Sequence, residues 1–174
     1  PLFLARNPKS LVPLSAALPA LRPIASYATC TYYATHAFRF LDAAGGSRYV
    51  RYTWLPAVGE QRLSLREARR RGRDYLQDEI RERLAREPVR FILQLQLAGA
   101  GDSTDDPAAV WPSDRERVIA GELELTELET GREHDGDVLV FDPTRVTDGI
   151  ELSEDPVLQF RPKAYSESVA RRTA

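Results

Sequence analysis

The sequence predicts an α+β domain in which antiparallel strands curl into a barrel, with one helix set between strands and a second helix at the C-terminal end. Three observations carry this: apolar and polar residues alternate with period two in four or five segments, the period changes to that of a helix only between about 64 and 87, and the tail changes character again after Leu139. Residues 2 to 5 read as the end of a strand, which Arg6-Asn7-Pro8 breaks, and a Pro- and Ala-rich stretch from Ser10 to Ser26 reads as an irregular connector. Residues 31 to 41 place Tyr33, Thr35, Ala37 and Arg39 on one face and Ala34, His36, Phe38 and Phe40 on the other. A turn at Ala43 to Gly46 returns the chain through Arg48 to Leu55, where Tyr49, Arg51 and Thr53 alternate with Val50, Tyr52 and Trp54; the pair is a hairpin.

Ser64-Leu65-Arg66-Glu67 is a capping box, and Leu65, Ala68, Gly72, Leu76, Ile80 and Leu84 then mark one helical face that Pro88 ends. The many arginines of this helix interleave with acids at i,i+4 (Glu67/Arg71, Arg70/Asp74, Glu79/Arg83, Glu82/Arg86), which reads as a solvated face and not as a nucleic-acid surface. Phe91 to Leu97 is a strand with alternating glutamines, Gly99 to Asp106 an acidic loop, and Glu116 to Glu129 a further strand. After a loop carrying Gly149-Ile150-Glu151, a last helix runs from about Pro156 to Arg172.

With 174 residues, 43% apolar and 29% charged, residues 1–174 form a single domain. The net charge of −2 leaves no electrostatic footprint for nucleic acid or an anionic membrane, and no apolar run approaches the roughly 20 residues needed to span a bilayer. The single cysteine, Cys30, closes no internal disulfide and reads as a small half-buried residue before a strand. The chain opens at Pro1, without methionine and inside an apolar run, so preceding residues are expected and an export signal stays open: the location is cytoplasmic or periplasmic.

Two histidines and one tyrosine are candidates for chemistry. His134, between Glu133 and Asp135, reads as a solvated loop residue, whereas the hairpin's alternation puts His36 on the face of Phe38 and Phe40, where it needs a partner. Neither belongs to a zinc-type ligand box. Arg161 and Tyr165 are spaced i,i+4, so on a helix the guanidinium lies beside the phenol oxygen. Only a phenolate is a good iron ligand, a fixed cation favours that form, and tyrosine is one of the recognised axial ligands of haem iron. Alone, Arg-x-x-x-Tyr is too common a spacing to decide the matter.

The segment Gly149-Ile150-Glu151-x-Ser153-x-Asp155-x-Val157-Leu158-Gln159-x-Arg161-x-x-Ala164-Tyr165, followed by Arg172, resembles the proximal haem-ligand signature of the haem catalases. Three more segments agree in family order: Pro1 to Pro8 resembles the strand after the distal asparagine, Tyr33-Ala34-Thr35-His36-Ala37-Phe38-Arg39 the Tyr-Gly-Ser-His-Thr-Phe-Lys strand, and Val110-Trp111-Pro112 with Gly121-Glu122-Leu123 the Val-Trp-Pro and Gly-Lys-Leu elements. The similarity is closest to the small catalase-related peroxidases: the connector between Arg6 and Tyr33 is short, Val146-Thr147-Asp148 precedes Gly149, Ser166 follows the tyrosine, and no C-terminal extension is present. Leu4 and Leu11 stand where phenylalanines are expected near the haem, and binding of nicotinamide nucleotide is not supported.

The resemblance implies a catalase-like barrel that binds haem b (heme b) and its iron, with Tyr165 as the metal ligand and Arg161 as its charge partner. It places His36 behind Arg161, Asp155 behind His36, and Arg172 on a haem propionate. The distal acid/base is expected upstream of Pro1, so no catalytic residue of that kind lies in this chain. The implied activity is a haem-dependent peroxidase that reduces hydrogen peroxide or organic hydroperoxides at the expense of a small organic electron donor, with weak catalase activity beside it. A fatty-acid hydroperoxide rearranging enzyme and a non-catalytic haem-binding barrel are the alternatives, and a homo-oligomer is left open.

Overall fold

The computed structural model describes residues 22–129, 131 and 139–173. In chain order these form a 3-10 turn (Tyr27–Thr29), β1 (Tyr32–Tyr33), β2 (Phe38–Leu41), β3 (Ser47–Pro56), α1 (Leu65–Ala68), α2 (Tyr75–Leu84), β4 (Val89–Leu97), β5 (Arg117–Leu125), β6 (Ile150–Leu152) and α3 (Pro156–Thr173). The strands make one antiparallel sheet in the order β5-β4-β3-β2-β6, with β1 also paired to β3.

The expected hairpin is present, Phe38 opposite Val50 and Leu41 opposite Ser47, but its first arm is not continuous. The chain leaves the ladder between β1 and β2, which pair with opposite halves of β3. His36 sits in this interruption.

The expected long helix also divides in two. Ser64 caps α1 as the capping box requires, giving its side chain to the Glu67 N–H while Glu67 returns its carboxylate to the Ser64 N–H. Beyond Ala68 the apolar stripe fails, because Gly72 has no side chain to bury and Leu65 is 64% exposed. Helicity resumes where Ile80 and Leu84, like Trp54, can pack on Ala28, Val89 and Phe91. Of the ion pairs expected along this stretch, Glu79–Arg83 forms at 2.7 Å.

The barrel is a correction. The sheet path ends at β5 on one side and at the three-residue β6 on the other, and among the described residues these two ends do not pair, so the sheet is open. The strand expected at residues 2 to 5, together with Leu4, Leu11 and His134, lies outside the described residues.

β6 nevertheless does structural work for the site, because its register against β2 (Phe38 opposite Leu152) sets the entry to α3 beside His36. Gly149 makes that approach with φ +84, and its carbonyl accepts from the Leu41 N–H at 2.8 Å. A Cβ there would meet only the Leu41 carbonyl, at 3.7 Å, so the cost of Gly149→Ala is conformational. Thermal or urea unfolding of this variant is expected to show a loss of about 1–2 kcal/mol, the penalty for an L-residue held in the left-handed region.

Candidate active site

His36 is 5% exposed, between the ladder that ends at β1 and the one that starts at β2. Its Nδ1 lies 2.6 Å from Oδ2 of Asp155, itself 1% exposed. Asp155 is placed by being the residue before α3: its Oδ1 accepts from the Val157 N–H at 2.8 Å and the Leu158 N–H at 3.2 Å, the bonds an N-cap carboxylate makes to otherwise orphaned donors. Leu158, fully buried, pins the same turn. Burial pushes the Asp155 carboxyl up, but the hydrogen bond from His36, those from Leu158 and Val157, and the charge of His36 together hold it below the ordinary carboxylate range.

With the carboxylate ionised, the network assigns the proton of this bond to His36 Nδ1. The other ring nitrogen, Nε2, is buried with no partner among the described residues, as is Oγ of the adjoining Ser153. A buried polar atom without a partner is uncommon, and Nε2 is therefore the open end of the pair.

One turn further along α3, Arg161 donates from Nη1 to the Tyr165 hydroxyl at 2.7 Å. The guanidinium carbon stands 6.0 Å from the ring centroid, so the hydrogen bond to the oxygen is the closer contact. His36, Arg161 and Tyr165 line one pocket of about 160 Å³, together with Phe38, Tyr52 and Phe141. The structure thus brings together four of the five site residues read from the sequence. No direct hydrogen bond joins His36 to Arg161. Arg172 lies seven residues beyond Tyr165, two turns along the same side of α3; it is exposed, and its Nε is 3.4 Å from the Ser168 carbonyl.

Arg51 is the residue that sequence reasoning missed. It stacks 4.5 Å above the Trp111 ring and donates to the carbonyls of Ala109 and Asp106, holding the loop before β5 against β3. Burial pushes its guanidinium down, opposed by the carboxylates of Asp106, Asp155 and Asp102. The signal available was its place opposite Gln96 on the polar face of the hairpin, next to a Trp-Pro pair without an assigned partner. No group of three or more His, Cys, Asp or Glu side chains able to hold a metal ion occurs among the described residues.

The family model for catalase matches residues 3–174. The chain belongs to the catalase family. It is 48% identical over 99% of its length to a catalase-related peroxidase of Mycolicibacterium paratuberculosis and 37% identical over 91% to one of Synechococcus elongatus. Among solved structures, a fungal catalase superposes on 84% of the chain with a TM-score of 0.74 at 25% identity, over 31% of its own length. The chain spans about half the length of the curated catalase-related peroxidases it matches, 56% and 47% of them. The antiparallel sheet followed by α3 is thus a catalase-like fold.

Proposed function

We propose that this chain forms the proximal side of a haem-dependent peroxidase, with Tyr165 as the residue that would ligate the iron. The observation that carries the reading is the Arg161–Tyr165 hydrogen bond in the same pocket as the buried His36–Asp155 pair, in a chain of the catalase family.

The residues fit a haem held from this side. A phenolate is sufficient as the only protein ligand, so the lack of a metal-ligand cluster among the described residues is compatible with it. Arg161 donates to the hydroxyl oxygen at 2.7 Å and presents its positive charge to that oxygen. Asp155 fixes His36 through Nδ1, leaving Nε2 as the acceptor for a donor in the pocket; Arg161 is the donor that lines it. Hydrogen-bonded partners around a ligand of this kind would tune its basicity. Arg172, two turns along, would pair with a haem propionate through its planar guanidinium. A haem held by Tyr165 and Arg172 would supply the redox chemistry by which peroxide is reduced at the expense of an organic donor. Weak disproportionation of peroxide accompanies the donor-dependent reaction.

Two catalase-related peroxidases among the relatives support this choice of activity. Peroxide consumption by the native-length protein, followed with and without a phenolic donor, is expected to be stimulated by the donor and to fall at least about a hundredfold in Tyr165→Phe, the scale of a loss of metal affinity or activity when ligation is disturbed. Full donor-dependent turnover in Tyr165→Phe would refute the assignment.

A further inference from the structure

Dividing the expected long helix strips its arginines of their acidic neighbours. Between Arg62 and Arg73 the chain carries six arginines and one acid, Glu67, an asymmetry that the net charge of −2 conceals. On one continuous helix Glu67 would face Arg71 and Asp74 would face Arg70. Because α1 ends at Ala68 and the chain passes through turns to Tyr75, neither pair forms, and Glu67 instead accepts from the Ser64 N–H at 2.8 Å.

Arg66, Arg69, Arg70, Arg71 and Arg73 are exposed, and none makes an ion pair or a side-chain hydrogen bond among the described residues. The acids downstream are engaged, Asp78 with Arg81 at 2.9 Å and Glu79 with Arg83, so Glu67 and the exposed Asp74 offset only two of these charges. Leu65 opens the same segment and is 64% exposed. The Arg69 N–H donates to its carbonyl at 3.1 Å, one helical turn that sets Leu65 and Arg69 on the same side.

We propose that this arginine-rich turn is a docking surface for an anionic lipid bilayer, its guanidiniums on the lipid phosphates and Leu65 in the apolar layer beneath the headgroups. Arginine suits phosphate because its planar fork donates two parallel hydrogen bonds. Several basic side chains held together near an anionic leaflet add their attractions. The exposed leucine decides between polyanions: a nucleic-acid backbone gains nothing from it, whereas a bilayer offers apolar depth next to phosphate. Binding at the surface needs no spanning helix, and no helix among the described residues is long and apolar enough to be one. The turn shares no residue with the Tyr165 pocket, so the proposal does not rest on the peroxidase reading.

Co-sedimentation of the native-length protein with vesicles of phosphatidylglycerol and phosphatidylcholine in equal parts, and with vesicles of phosphatidylcholine alone, tests this. Binding to the anionic vesicles only is expected, weakening as salt is raised. Replacing Arg69, Arg70 and Arg71 together by Gln is expected to lower the partition coefficient about a hundredfold, the combined effect of three charges near an anionic surface. Leu65→Gln is expected to lower it about tenfold, with the unfolding temperature unchanged in both variants. Absence of binding to the anionic vesicles, or binding that either variant retains in full, overturns the proposal. So does a duplex oligonucleotide that binds more tightly than the vesicles and is indifferent to Leu65→Gln, which would make the partner a nucleic acid.

Discussion

Asp155→Ala is expected to destabilise the protein by about 2–4 kcal/mol in urea unfolding, the cost of leaving a buried hydrogen-bond partner unsatisfied together with the loss of a helix cap. The substitution acts at two places at once. It leaves His36, 5% exposed, with neither ring nitrogen bonded, and it withdraws the acceptor of the Val157 and Leu158 N–H groups that start α3. The cap alone is worth about 1 kcal/mol. Asp155→Asn keeps an oxygen for the cap but loses the charge, so a smaller loss is expected. His36→Ala and Asp155→Ala should couple, the double variant losing less than the sum of the two. The pH dependence follows from the lowered carboxyl of Asp155: its stabilisation is fully present above the unfolded carboxylate range and is lost as pH falls through the lower folded value. Asp155→Asn should therefore flatten the decline in stability below about pH 4, near the reference value for aspartate. An acid limb unchanged in Asp155→Asn would mean that the charge contributes nothing.

Trp111→Ala is expected to cost about 3–5 kcal/mol, as for other large aromatic side chains removed from a packed site. Trp111 is 5% exposed, its indole N–H donates to the Ser103 carbonyl at 2.7 Å, and Arg51 covers its face. Removing the ring exposes the aliphatic part of Arg51 and unties the loop from Ser103 to Ala109, whose carbonyls Arg51 also holds. Trp111→Phe retains a face for the guanidinium and loses the N–H, so about 1–2 kcal/mol is expected from the lost bond and the smaller ring. Denaturant unfolding of the two variants measures both values, and a Trp111→Ala loss below about 1 kcal/mol would show that the loop is held by other contacts.

The hairpin and the helix that carries Tyr165 were legible because local rules and tertiary structure agree there. Alternation from Phe38 to Leu41 and Ser47 to Pro56 matches the observed register, and the i,i+4 spacing of Arg161 and Tyr165 becomes a 2.7 Å bond on α3. His36 was read as buried on the right face for an incomplete reason. It lies outside the ladder, and its burial is completed by Asp155, more than a hundred residues away, which no periodicity can reveal. The break at Gly72 was missed because helical spacing counts positions and not what packs on them. The open sheet has the same origin: alternation shows which residues share a face but not whether the edge strands meet. The roles assigned to Tyr165, Arg161, Asp155 and Arg172 came from motif similarity, and the geometry of the first three suits those roles.

The central claim is tested most directly by the absorption spectrum of the native-length protein loaded with haem, beside that of Tyr165→Phe. A ferric spectrum of the tyrosinate type is expected in the unaltered protein and its loss in the variant. Failure to take up haem, or a spectrum that Tyr165→Phe leaves unchanged, would contradict it.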